Sequence, residues 1–169
     1  MKDVYDFDSD TPNPRKNSIW TDGTALDPAL HRSVLQAAQA STLLVILLSV
    51  PASIESPRLL GYTISLLSLI WAYSSPPFRL KERPILDSIS SGVICWLLWA
   101  SGYNFSENTS LVPETEFFSK HGGFVFLYAS AMHSLAAMVD SQIDSAAKHQ
   151  TIATVCGERF AATFSMVCL

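Results

Sequence analysis

GGFVFLYASAMHSLAAMVDSQID, residues 122–144, is an apolar run that carries no Asp, Glu, Lys or Arg until it reaches two carboxylates. Asp140 and Asp144 are four residues apart, so a helix places them on one face. Ionised side chains beside an apolar helix are costly and need partners, which makes both residues candidates for function.

Three further apolar segments precede this run, and the whole chain is poor in charge. Of its 169 residues, 49% are hydrophobic and 15% are charged, whereas an ordinary soluble domain carries about a quarter charged residues. Each segment is close to the ~20 residues that a helix needs to cross a bilayer. The sequence therefore predicts an all-α, polytopic transmembrane helix bundle in one domain. The alternative, a soluble bundle of buried helices, leaves too few charges to cover a surface. The predicted spans are 30–50, 59–75, 85–103 and 122–139, with partial helices at 1–10 and 158–169.

The basic residues predict an orientation for these spans. Nine of the eleven Lys and Arg residues lie in or beside loops 1–29, 76–84 and 145–159, and the other two are Arg58 and Lys120. Because basic loops stay on the cytoplasmic side, both aspartate clusters are expected at the cytoplasmic face of an integral, multi-pass membrane protein. The basic residues are few and never massed, which argues against nucleic-acid binding.

A second acidic cluster opens the chain. Asp3, Asp6 and Asp10 follow i, i+3, i+7 spacing, so a helix over residues 1–10 carries all three on one face. Taken alone, either acidic cluster has a simpler interpretation as a solvated helix end.

A short basic loop lies between the two acidic clusters. Pro76 and Pro77 end the second span, and Arg79 and Lys81 follow at alternate positions, so in extended geometry their side chains point the same way. Taken alone, such cations can simply fix topology. Together with the aspartates they indicate more, because Mg²⁺ binds carboxylates together with substrate phosphates. Arg and Lys pair with the remaining phosphate oxygens. The combination predicts a site for a metal-bridged diphosphate.

The N-terminal cluster and the basic loop resemble motifs of the UbiA-type intramembrane prenyltransferases. The family's first motif is N-D-x-x-D-x-x-x-D; Asp3, Asp6 and Asp10 match its aspartates, and Lys2 stands at its asparagine. The stretch YSSPPFRLKERPILD, residues 73–87, is similar to the Y-S-x-P-P-x-R-L-K-x-R-P loop of the lycopene elongase-like branch.

The C-terminal cluster resembles the second motif of the same family. That motif is D-x-x-x-D followed by a glycine, a threonine and a further glycine. Asp140, Asp144, Thr151 and Gly157 match it, and Lys148 stands at the first glycine. The three motifs occur in the family's order over nearly the whole chain.

The resemblance implies transfer of a prenyl group from a polyprenyl diphosphate to a hydrophobic acceptor, which is a carotenoid, a quinone precursor or another isoprenoid, within membrane lipid. It implies Mg²⁺ as the cofactor that neutralises the departing diphosphate. The residues implied are Asp6, Asp140 and Asp144 for catalysis, Asp3, Asp6, Asp10, Asp140 and Asp144 for metal, and Arg79, Lys81, Arg15 and Lys16 for the diphosphate.

Two other functions stay open at this point. Set against the family's fold, the chain is expected to begin within the second helix and to end within the seventh. A shortened, inactive homologue that binds lipid or partner helices therefore remains an alternative, and Lys2 and Lys148 at off-motif positions favour it. A small cation transporter is a third hypothesis, which the basic loop disfavours because it would repel the ion.

Several other residues have two interpretations each. Asp87 either orients the cations of the basic loop or initiates its own helix. His133 either lines an acceptor site or is an interior histidine with satisfied hydrogen bonds. The aromatic residues that could line a channel, or merely pack at the lipid interface, are Trp71, Trp96, Trp99 and Phe126.

Overall fold

The computed structural model describes residues 2–11, 17–18, 23–106 and 121–169, and helices form its framework. The all-α class is confirmed, with one small exception: the two-residue strands β1 (Asn17–Ser18) and β2 (Gly23–Thr24) pair antiparallel. Two 3-10 turns occupy Pro28–Leu30 and Leu80–Glu82. The α-helices are α1 (Lys2–Tyr5), α2 (Phe7–Asp10), α3 (His31–Glu55), α4 (Pro57–Ser74), α5 (Leu86–Ser106), α6 (Gly123–Val139), α7 (Ser141–Ala146), α8 (Ile152–Cys156) and α9 (Glu158–Cys168).

The long helices pack mostly against their neighbours in the chain. Helix α3 packs on α4, α4 on α5, α5 on α6, and α6 on α9. Small residues let α5 and α6 approach closely: a Cβ atom added to Gly92 would lie 2.1 Å from Ser130 Oγ and 2.7 Å from the carbonyl oxygen of Phe126. The buried apolar residues of these helices are Leu59, Leu66, Leu97, Ala100, Ala131, Ala137 and Ala161.

Two serine hydrogen bonds join α6 to α9. Ser134 Oγ donates to the carbonyl oxygen of Ala161 at 3.0 Å, and Ser165 Oγ donates to that of Ala131 at the same distance. Both serines are buried. Small residues and interhelical hydroxyl bonds are the usual means by which helices associate in apolar surroundings.

Helix α3 exposes more large apolar side chains than any other helix of the described residues. Among the described residues, Pro28–Ile54 is the one helical stretch that is both long and apolar enough to cross a membrane, and α6 is apolar but shorter. The apolar window of Pro28–Ile54 is not buried inside the protein. Its large exposed side chains include Leu43, Leu44, Leu47, Leu48 and Ile54.

Helix α3 runs beyond residue 50, where the sequence predicts that the first span ends at Pro51. The helix continues to Glu55 and stops at Ser56, whose backbone is extended at φ −133° and ψ 88°. Pro57, the first residue of α4, imposes this break, since proline disfavours helical geometry in the residue before it. A proline near a helix end removes one hydrogen bond, and the last turn of α3 tolerates that loss.

Two other local predictions are also wrong. The helix expected over residues 1–10 is broken at Asp6, where φ is −101° and ψ is 4°. The loop expected after Asp144 contains helix α8 instead. Thr151 is the N-cap of that short helix, and the hydroxyls of Thr151 and Thr154 form a reciprocal capping box.

Candidate functional site

The basic loop is folded back on itself rather than extended. Arg79 is left-handed, at φ 41° and ψ 56°, and the 3-10 turn Leu80–Glu82 follows it. The predicted extended geometry is therefore wrong, because a left-handed residue before a tight turn reverses the chain. A non-glycine residue in this conformation costs on the order of 1 kcal/mol and persists only where surrounding contacts hold it. The contacts of Arg79 and Lys81 supply that restraint.

Both cations of the loop nevertheless reach the same carboxylate. Lys81 Nζ contacts Oδ1 of Asp6, and Arg79 Nη2 donates to that oxygen at 3.3 Å. Asp6 is 4% exposed and the Lys81 side chain 9% exposed. A charge this deeply buried requires a partner of opposite sign. These contacts with Lys81 and Arg79 are made at the residue where the helix predicted over residues 1–10 is broken.

A second carboxylate extends this cluster toward the other aspartate motif. Glu82 Oε1 accepts a hydrogen bond from Arg79 Nη2, and His149 Nδ1 lies 3.5 Å from it. The backbone N–H of His149 in turn donates to the carbonyl oxygen of Asp144 at 2.8 Å. Continuous contacts thus run from the Asp6 carboxylate to the backbone of Asp144.

Neither Glu82 nor His149 is among the residues predicted for the site. The i, i+3 spacing of Arg79 and Glu82 is a recognisable signal for an ion pair. The contact of His149 joins distant parts of the chain and leaves no local pattern.

Asp140 and Asp144 keep the predicted spacing, although the helix changes between them. Asp140 lies at the junction of α6 and α7, at φ −92° and ψ 0°. The backbone N–H of Asp144 donates to the carbonyl oxygen of Asp140 at 2.9 Å, so the two residues are one helical turn apart. Both are partly buried, as is Asp10, whereas Asp3 is exposed.

Backbone geometry accounts for the glycines of the second motif. Lys148, which stands at the first of them, has φ 60°, and Gly157, at the second, has φ 90°. L residues with a side chain rarely adopt such angles. Lys148 therefore has a backbone conformation that glycine would adopt without strain.

Asp87 joins α5 to the segment that follows the second aspartate motif. It is fully buried. Its Oδ1 accepts from the N–H of Ser88 at 2.7 Å, and its Oδ2 accepts from the N–H of Ile152 at 2.8 Å. These bonds support the helix-initiating interpretation and add a second role, since Ile152 is the first residue of α8.

The remaining candidates are spread over the bundle. Trp71 Nε1 donates to Thr42 Oγ1 at 3.1 Å, which fastens α4 to α3 and supports a packing role. His133 meets Tyr73 edge-on, with ring centroids 6.4 Å apart. Arg83 is exposed, and its Nε donates to the carbonyl oxygen of Phe78 at 2.9 Å. Arg15 and Lys16 lie outside the described residues.

The carboxylate oxygens of the site suit a hard cation that takes its remaining ligands from a substrate. In the described part of the chain, no group of three or more His, Cys, Asp and Glu side chains lies close enough to hold a metal ion. Mg²⁺ does not require such a cage, because it commonly takes one or two carboxylates and completes its shell with phosphates and water. The Asp140–Asp144 pair, one turn apart, fits that mode.

Comparison with known proteins connects the chain to carotenoid enzymes. It is 36% identical to a lycopene elongase/hydratase of Corynebacterium glutamicum over 99% of its own length and 55% of that protein. It is 31% identical to a lycopene elongase/hydratase of Haloarcula japonica, over 99% of the chain and 52% of that protein. A C(50) beta-cyclic carotenoids biosynthesis protein of Dietzia sp. is 27% identical, over 99% and 37%.

The chain spans about half the length of the curated relatives that it matches. No family model and no solved structure matches it.

Proposed function

We propose that this chain belongs to a UbiA-type prenyltransferase of carotenoid biosynthesis and forms the part that holds the diphosphate of the donor. The supporting observation is the meeting of Arg79, Lys81 and Asp6 in one buried cluster, connected through Glu82 and His149 to the second aspartate motif. The relatives named for lycopene elongation support a lipophilic isoprenoid substrate and a carotenoid acceptor.

The reaction is the transfer of a prenyl group from a polyprenyl diphosphate to that acceptor. The allylic C–O bond breaks with its electron pair leaving on the diphosphate, the allylic carbon bonds to the acceptor, and the acceptor gives up a proton. The main physical task is to stabilise the negative charge that develops on the leaving group. When bound, Mg²⁺ would supply part of that stabilisation.

The residues of this chain have distinct roles in the proposal. Asp140 and Asp144 of the second motif, and Asp3, Asp6 and Asp10 of the first, would hold Mg²⁺ ions together with oxygens of the diphosphate. Lys81 and Arg79 donate to phosphate oxygens. Arg79 has a donor to spare, because its Nε atom is buried and has no hydrogen-bond partner among the described residues.

The proposal also places the chain in a membrane as a multi-pass protein. The exposed leucines of α3 support contact with lipid, since an apolar surface of that extent is unfavourable in water. Helices α4, α5 and α6 would cross with α3. The distribution of basic residues supports a cytoplasmic position for the aspartate motifs.

A transfer assay tests this function. The chain is reconstituted in lipid nanodiscs with Mg²⁺, lycopene and labelled allylic diphosphates of increasing length, and the products are separated by chromatography. We expect prenylated carotenoid from the wild type and none from Asp140→Ala or Asp6→Ala. Asp8→Ala, an exposed aspartate of α2, is the matched control. Transfer that survives Asp140→Ala or Asp6→Ala would remove the basis of the proposal.

The exposed apolar side chains of α3 also favour a second candidate, a non-catalytic chain that binds lipid or partner helices. It predicts no transfer by the wild type under any condition of the same assay.

A further inference from the structure

The Asp6 carboxylate occupies an anion site. Two cationic side chains converge on one of its oxygens, Lys81 Nζ and Arg79 Nη2, the latter at 3.3 Å. The Lys81 side chain is 9% exposed, so its charge is directed into the protein rather than into solvent. A phosphate oxygen would need the same two donors, because carboxylate and phosphate are alternative acceptors for Lys and Arg.

The two cations of this cluster already face carboxylates. Lys81 and Arg79 contribute two positive charges, and Asp6 and Glu82, which contact them, contribute two negative ones. While they stay in place, these carboxylates weaken the attraction of Lys81 and Arg79 for an incoming anion. An anion must therefore compete for the donors, and one with several strongly charged oxygens competes best.

We propose that Asp6 is a built-in competing anion, which a diphosphate must displace from Lys81 and Arg79 in order to bind. This inference rests on the proposed function for the identity of the anion. Displacement favours a diphosphate over a monophosphate, because the diphosphate carries more negative charge and more acceptor oxygens with which to compete for the two donors. It also releases the Asp6 carboxylate at the moment when the substrate arrives.

The test is the binding of inorganic pyrophosphate to the purified chain in detergent micelles. Titration calorimetry is carried out in EDTA, so that a role of Asp6 as a metal ligand cannot contribute. Asp6→Asn removes the competing charge with little change in shape. We expect it to raise the affinity for metal-free pyrophosphate by about tenfold, the scale of close charge pairs at interfaces. Inorganic phosphate should gain less.

Asp8→Asn is the matched control, because it removes the same charge from an exposed position two residues further along the chain. Its affinity should stay within about twofold of the wild type, since exposed charges are largely screened. Lys81→Gln combined with Asp6→Asn should abolish the gain. An Asp6→Asn protein that binds no better than the wild type would overturn the inference, and so would equal gains in Asp6→Asn and Asp8→Asn.

A second variant covers the possibility that Asp6→Asn does not fold, because it leaves Lys81 buried beside a neutral amide. Glu82→Gln removes the other carboxylate from Arg79 at a more accessible position, where the side chain is 27% exposed. It should raise metal-free affinity about threefold, a smaller gain at a better solvated position. An unchanged affinity overturns the inference when Asp6→Asn cannot be tested.

The same titration separates this inference from the proposed function. If the wild type binds pyrophosphate only with Mg²⁺ and Asp6→Asn shows no higher affinity in EDTA, the inference is overturned but the proposed function is not. If no variant binds pyrophosphate with or without Mg²⁺, both fail.

Discussion

Replacing Gly92 with alanine tests the close approach of α5 to α6. The added Cβ atom would lie 2.1 Å from Ser130 Oγ and 2.7 Å from the carbonyl oxygen of Phe126. The hydroxyl can rotate, but it then loses its own 2.9 Å hydrogen bond to that carbonyl. The carbonyl belongs to the backbone of α6, so it must retreat by about 0.7 Å, from 2.7 Å to the 3.4 Å at which ordinary contact begins. Helices α5 and α6 have to separate.

The magnitude follows from three contributions. Overpacking of this kind costs about 1–3 kcal/mol, and the disturbed hydroxyl bond adds about 1 kcal/mol. The higher helix propensity of alanine offsets about 1 kcal/mol of this destabilisation. We expect Gly92→Ala to lower the free energy of unfolding by about 2 kcal/mol.

The assay is unfolding in mixed micelles with increasing dodecyl sulfate, followed by far-ultraviolet circular dichroism. Gly102→Ala is the control, because it lies in the same helix and its Cβ would meet no atom within 4 Å. It should be neutral or stabilising by up to about 1 kcal/mol. Equal stabilities of the Gly92 and Gly102 variants would refute the described packing of α5 on α6.

Three further predictions concern the segments around the site. Asp87→Asn should destabilise the protein by about 1–3 kcal/mol, because the amide has one acceptor oxygen and cannot accept from the N–H groups of both Ser88 and Ile152. Hydrogen exchange at the Ile152 amide should accelerate, and unchanged exchange would contradict its hydrogen bond to Asp87. Lys148→Gly should raise the thermal midpoint of unfolding, because glycine adopts the positive φ without strain; the expected stabilisation is about 0.5–1 kcal/mol. A lower midpoint would mean that the lysine side chain contributes more to stability than the backbone strain costs. Ser134→Ala and Ser165→Ala should each cost about 0.6 kcal/mol in the micelle assay, and a double variant as stable as the wild type would exclude both interhelical bonds.

The sequence determines the positions of the long helices because hydropathy is a local property. Helices α4, α5 and α6 begin and end within three residues of the apolar segments that predict them. The predicted first span is too short because either Pro51 or Pro57 could end α3, and only Pro57 begins a new helix. The sequence pattern alone does not show which of the two prolines ends the helix.

The site is less predictable, because its contacts are made between segments distant in the chain. The motifs single out Asp6, Arg79 and Lys81, and the structure brings those three together. The folded-back geometry of Arg79 could not be predicted, since a left-handed arginine is stabilised only by the tertiary contacts that hold it. Likewise, nothing near Asp87 in the sequence indicates that it reaches Ile152.

The separation of Asp6 from its two cations also determines when the site can form during protein synthesis. Arg79 and Lys81 follow Asp6 by 73 and 75 residues. At about 5–20 residues per second, a ribosome needs about 4–15 s to translate that distance. The contact to His149 waits longer still. The residues of α3 and α4 are therefore synthesised before the Asp6 carboxylate can meet its partners, so the acidic N-terminal segment cannot take up its final contacts until both helices have left the ribosome's active site.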